Sequence, residues 1–192
     1  MSKYNKKCPI YCAHKKNYYV EEFLSYPNRY DTNKYFWRKN TNSKVLYNRG
    51  IADAKSKHPE FFQGDYKIIS SSRDHLIVLE KATNTVYITS RGTELGLSYG
   101  SNTRDLVNDA EIFLGVTPNR TYAIAADIQL HMKEIEMADH VIMIGHSLGG
   151  RITKELAIMF PNFQAEIYDP GRVEFLVGEN HYTTVGNLLL AS

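Results

Sequence analysis

The sequence predicts an α/β domain with a mostly parallel sheet and helices on both faces, and three observations carry that reading. Short runs rich in Ile, Val, Leu and Tyr alternate with longer amphipathic segments after residue 64. Val141-Ile142-Met143-Ile144 is apolar throughout, the pattern of a central strand buried on both faces. A chain of 192 residues with 43% hydrophobic and 23% charged residues also suits one core.

Residues 1–63 read as an irregular, aromatic-rich extension with one helix, and residues 64–192 as the core. The head carries Lys3, Lys6, Lys7, Lys15 and Lys16 and is expected to be frayed or docked on a partner. Cys8 and Cys12 are the only cysteines; with His14 they offer three metal ligands, but no second ligand pair exists elsewhere, which favours two reduced thiols. Tyr18, Tyr19, Phe23, Tyr26, Tyr30, Tyr35, Phe36 and Trp37 fall in loops and short helices. Val45, Leu46, Ile51 and Ala54 recur near helical spacing, so a helix is expected over Ser43–Lys57, with Ser43 as its cap and Pro59 beyond its end.

Strands follow at Tyr66–Ser70, His75–Lys81 and Thr85–Ser90, the last two joined by the turn Ala82-Thr83-Asn84. After a Gly/Ser-rich loop over Leu95–Ser101, one helix starts near Thr103 and ends by Gly115 and Pro118. A second covers Arg120–Asp139, with Ile124, Ile128 and Ile135 on one side. Beyond the strand ending at Gly145, the residues Leu148, Ile152, Leu156 and Phe160 recur every four positions, giving an amphipathic helix that stops at Pro161. Phe163–Tyr168 is the next strand, closing at Asp169-Pro170-Gly171. Thr183–Leu190 reads as a further buried strand, after which the core is short at its C-terminal side and calls for a covering protein partner or more sequence.

A net charge of +2 supplies no field that would hold nucleic acid or an anionic membrane. The longest run without Asp, Glu, Lys or Arg is Asn180–Ser192, 13 residues, against the ~20 of a membrane-spanning helix. No apolar h-region occurs in the first twenty residues, so a cytoplasmic protein is expected.

Chemistry concentrates at Gly145-His146-Ser147-Leu148-Gly149-Gly150. It contains G-x-S-x-G, in which a tight strand-to-helix turn exposes a serine nucleophile, with glycines where side chains would strike the facing backbone. The serine falls between the most buried strand and a clean helix, whose N-terminus stabilises a developing oxyanion. The competing reading is a glycine-rich turn with a spectator serine.

Together with Ser90-Arg91-Gly92-Thr93 and Arg104-Asp105-Leu106-Val107-Asn108-Asp109, this stretch resembles the class 3 lipases of the α/β-hydrolase superfamily over roughly residues 60–172. The resemblance implies an α/β-hydrolase-like fold and an esterase or lipase acting without a cofactor on a lipid or small ester, with only transient lipid-surface contact. It implies oxyanion-hole donors at Thr93 and at the Leu148 backbone N–H, and a lid over residues 94–103. Asp105 and Asp109, four apart, would mimic a metal pair, but the family uses that region for packing, so no metal is expected.

Chain order in this superfamily is Ser, acid, His, which confines both partners to the 45 residues after Ser147. His181 is the only histidine there, and the acids are Glu155, Glu166, Asp169, Glu174 and Glu179. Asp169 is favoured because it ends the strand after the nucleophile strand. A competing alignment rests on Pro170-Gly171-Arg172-Val173, which echoes a family motif. It makes Asp169 structural, moves the acid position near Gly186-Asn187, where Asn cannot balance an imidazolium, and leaves His181 as a loop residue. Three hypotheses follow: an active ester hydrolase on Ser147, Asp169 and His181; a catalytically incomplete lipase-fold interaction subunit; or a fragment of a longer enzyme.

Overall fold

The computed structural model of the chain describes residues 9–25, 42–92, 119–168 and 188–191. Six strands form one sheet in sequential order: β1 (Tyr66–Ser71), β2 (His75–Glu80), β3 (Thr85–Ser90), β4 (His140–His146), β5 (Gln164–Tyr168) and β6 (Leu188–Ala191). β1, β2 and β3 are antiparallel, and β3 through β6 are parallel. The hairpin therefore precedes a parallel sheet, as the order of sequence patterns requires. Asn84 closes the β2–β3 turn at φ 47°, a conformation Asn tolerates better than most residues.

Side-chain alternation along the strands separates two cores. Ile77, Val86, Ile88, Met143, Ala165 and Ile167 face one way and pack with α3 (Asn119–Leu130), α4 (Met132–Ile135) and α5 (Leu148–Met159). Leu76, Val78, Tyr87 and Ile144 face the other way and pack under α1 (Pro9–Val20), the π-helical turn Glu21–Ser25 and α2 (Ser43–Lys57). Crossovers from β3 to β4 and from β4 to β5 step in the same direction, and right-handed connections then put α3 and α5 on one face. The opposite face must be covered from elsewhere, and the N-terminal segment covers it.

Over residues 9–25 that differs from the expectation of a frayed or partner-docked head. Val20 and Leu24 are fully buried, and Phe23 nearly so. Polar anchors fix the helix above them. The Lys16 ammonium pairs with Glu80, whose other oxygen accepts from the Tyr66 hydroxyl at 2.5 Å. Asn17 donates to Glu166 Oε1 at 2.6 Å, and His14 Nδ1 lies 3.2 Å from the same oxygen. Carboxylates on the inward face of a sheet cost much to bury alone, so these partners are what make Glu80 and Glu166 tolerable there. Cys12 belongs to α1, and Cys8 lies outside the described residues.

Two helix boundaries also differ from expectation. The cap of α2 is Asn42, whose side chain accepts from the Lys44 N–H at 2.9 Å. Ser43 instead begins the helix and bonds Ser71 on β1, so it joins elements where the sequence suggested a local cap. The expected Arg120–Asp139 helix is broken at His131, whose N–H is shared between the Asp127 and Ile128 carbonyls at 3.2 Å each while its ring Nδ1 binds the Asp127 carbonyl at 2.9 Å. The break redirects the chain so that Ile135 is fully buried before β4 begins. The predicted helix beginning near Thr103 lies outside the described residues, as does 183–187 of the last predicted strand.

Candidate functional site

β4 ends at His146 and α5 begins at Leu148, so the whole turn is one residue, Ser147. Its backbone stands at φ 54°, ψ −125°, a region that non-glycine residues avoid. Such a conformation persists only where the surroundings over-determine it. Here the Ser147 N–H donates to the Tyr168 carbonyl on β5 at 3.1 Å, and the Ser147 carbonyl accepts the Arg151 N–H, starting the helix, at 3.1 Å.

The flanking glycines are required by contact. A Cβ on Gly145 would stand 2.2 Å from the Gly149 carbonyl oxygen and 2.6 Å from Thr153 Oγ1. One on Gly149 would stand 2.1 Å from the Ser90 carbonyl oxygen and 2.9 Å from the Gly92 nitrogen. The first turn of α5 is therefore pressed onto the ends of β3 and β4 at backbone distance. Ser90 pairs with Gly145, so the end of β3 lies beside the turn.

Leu148 is the first residue of α5, and its side chain is 2% exposed. Helix N-terminal amides are oriented donors, and the partial positive charge there favours an anion. Ser147 itself is half-buried. Thr93, Asp169 and His181 lie outside the described residues, as do 94–103, Asp105, Asp109 and Asn187. Tyr168, the residue before 169, hydrogen-bonds Glu166 Oε2 at 2.7 Å. Burial, then the adjacent Glu166 carboxylate, push its phenol up, so it stays a neutral donor.

A buried polar network beside the turn has no counterpart in the sequence reading. Arg120 on α3 is 1% exposed; its Nη2 donates to the Arg91 carbonyl at 3.2 Å and pairs with Asp74 Oδ1 at 3.1 Å. The Arg91 N–H donates to the Asp74 carbonyl at 3.0 Å, and its Nη1 to the Arg73 carbonyl at 3.4 Å. Alongside, His75 joins Ser72 Oγ through Nδ1 at 2.8 Å and Asp127 Oδ2 through Nε2 at 2.6 Å. Ser72 Oγ also accepts from the Asp74 and His75 N–H groups, so it serves as a turn cap. Burial pushes the Asp127 carboxyl up, but hydrogen bonds from Ser70 and His75 and the charges of His75 and His131 outweigh it and hold the group below the usual carboxylate range. The network joins three segments distant in sequence, residues 72–75, Arg91 and α3, and an arginine 29 positions from its acceptor leaves no local signal.

No cluster of metal-ligating side chains occurs among the described residues, and no helix among them is long and apolar enough to cross a membrane. No protein-family profile matches the chain, and no curated protein sequence matches it. Among solved structures it is similar to a fungal lipase in complex with an inhibitor, at 16% identity and a TM-score of 0.45, over 80% of this chain and 62% of that one. It is also similar to a Rhizomucor miehei lipase propeptide complex, at 17% identity and TM-score 0.42, over 81% and 51% of the two chains. A third is Rhizomucor miehei triacylglyceride lipase, at 16% identity and TM-score 0.38, over 81% and 60%. The chain spans less than two thirds of the length of each of these lipases.

Proposed function

We propose that the protein is a serine hydrolase of carboxylic esters that forms an acyl-enzyme on Ser147. The observation that carries this reading is the strained backbone of Ser147 at the junction of β4 and α5, held by glycines that admit no side chain. Strain of this kind costs about 1–3 kcal/mol and is kept where presentation of a side chain repays it.

In this reading Ser147 Oγ attacks the ester carbonyl carbon while His181 takes its proton and Asp169 orients the imidazole. The tetrahedral oxyanion accepts from the Leu148 N–H and from Thr93. Collapse breaks the bond to the leaving oxygen, which takes the proton from the imidazolium and departs as alcohol. Water, deprotonated by the same imidazole, then releases the carboxylate and restores Ser147. Lipid esters are the proposed class, on the strength of the motifs around Arg91-Gly92-Thr93 and Gly145–Gly150, and the cytoplasm is the proposed location.

The test is a fluorophosphonate probe with peptide mapping on native and heat-unfolded chain, followed by p-nitrophenyl esters of short and long acyl chains. Labelling of Ser147 only in the folded protein, with turnover lost in Ser147→Ala and His181→Ala, is the expected result. A well-folded chain that takes no label overturns the proposal and leaves the interaction-subunit reading. Faster turnover of long than of short chains supports lipid esters; the reverse order restricts the substrate to small esters.

A further inference from the structure

We infer that Arg120 is a positioning residue that fixes the peptide plane between Arg91 and Gly92, and through it the donor side of the reaction centre. This rests on the hydrolase reading of Ser147. One nitrogen, Arg120 Nη2, contacts both the Arg91 carbonyl and the Asp74 carboxylate. Asp74 holds the other end of the same residue, since its carbonyl accepts the Arg91 N–H at 3.0 Å. Arg91 is thus gripped at its N–H, at its carbonyl, and at its side chain by the Arg73 carbonyl.

The position of that peptide matters because α5 is seated on it. The Arg91 carbonyl carbon and the Gly92 nitrogen both lie 2.9 Å from where a Gly149 Cβ would stand, two residues after Ser147. A rotation of the Arg91–Gly92 plane would move the strand end against the first turn of α5, whose leading N–H is the proposed oxyanion donor. A guanidinium suits this task, because it stays charged when buried and a single terminal nitrogen carries two hydrogens to share between a carboxylate and a carbonyl. The grip is reinforced by a second tie between the same two elements, His75 of the β1–β2 hairpin to Asp127 of α3. Arg120 also stands at the start of α3 and Arg91 just beyond β3, so their contact ties the end of β3 to α3.

The experiment compares the full chain with Arg120→Met and Arg120→Lys, measuring kcat and KM on a p-nitrophenyl ester and hydrogen exchange of the Arg91 and Gly92 amides. The expected result for Arg120→Met is a fall in kcat of about tenfold to a hundredfold with KM within about twofold, the size expected when a pre-aligned donor is misplaced. Arg120→Lys, which keeps a cation able to meet the same oxygens, should recover most of the rate. Exchange at the two amides should rise in the Met variant and not in the Lys variant. Wild-type kcat per folded molecule in Arg120→Met overturns the inference. Should Arg120→Met fail to fold, Asp74→Asn takes its place, with a smaller fall in kcat at constant KM expected and an unchanged kcat refuting. If the wild type neither labels at Ser147 nor turns over ester, the hydrolase reading has failed. Exchange at Arg91 and Gly92 then decides alone: faster exchange in the variant supports the positioning role, and unchanged exchange overturns it.

Discussion

Gly149→Ala sets helix propensity against packing, and the two predict opposite signs. Alanine in place of glycine stabilises a helix interior by up to about 1 kcal/mol. At Gly149 the new methyl would stand 2.1 Å from the Ser90 carbonyl oxygen, where ordinary contact begins at 3.4 Å. α5 would have to retreat by about 1.3 Å, and the opposing atoms at Ser90, Arg91 and Gly92 are all backbone, so no rotamer change relieves the clash. Overpacking of a rigid site costs about 1–3 kcal/mol, and the lack of any yielding side chain puts this one at the upper end. We expect a net loss of about 2 kcal/mol, read as a lower urea midpoint by far-UV circular dichroism with unchanged slope, and a fall in Tm of about 4–8 °C. The same retreat shifts the Leu148 N–H by about 1 Å, so phosphonate labelling of Ser147 in the folded variant should slow by about a hundredfold. A variant with a wild-type or higher midpoint and a wild-type labelling rate would refute the close seating of α5 on the end of β3.

Two further outcomes follow from the same geometry. Ser147→Gly should be more stable than Ser147→Ala by about 1 kcal/mol in urea unfolding, because only glycine accepts φ 54°, ψ −125° without strain; equal stabilities would show the turn to be relaxed. The stability advantage of wild type over Asp127→Asn should be constant at neutral pH and close as pH falls below about 4. A carboxyl with a depressed folded pKa contributes stability above its unfolded value and loses it as the folded pKa is passed; an advantage unchanged at pH 2 would refute the assignment.

The course of the chain over β1 to β5 is legible in local pattern. Thr85–Ser90 is a strand with the bounds its composition suggests, and Leu148, Ile152, Leu156 and Phe160 all reach the core from α5 or its cap. Periodicity works there because each element buries one continuous face. It misjudges Arg120–Asp139, since the break at His131 depends on how one ring bonds a carbonyl and on the pull of Ile135 into the core. It misjudges residues 9–25 for a different reason. A lysine-rich, mixed-polarity segment carries no amphipathic signature, and its docking rests on Glu80 and Glu166, carboxylates 64 and 149 residues away from the side chains that meet them.

By itself the sequence determined the α/β class, the succession of elements and the G-x-S-x-G turn, because each is written in residues adjacent along the chain. Only the tertiary structure decided that Ser147 is held in a strained conformation, that Gly149 lies against the end of β3, and that Arg120 grips both the Arg91 carbonyl and Asp74. Those are contacts between segments tens of residues apart. Their geometry follows from the register of β3 on β4 and the seating of α3 and α5 on one face of the sheet, which no local pattern encodes.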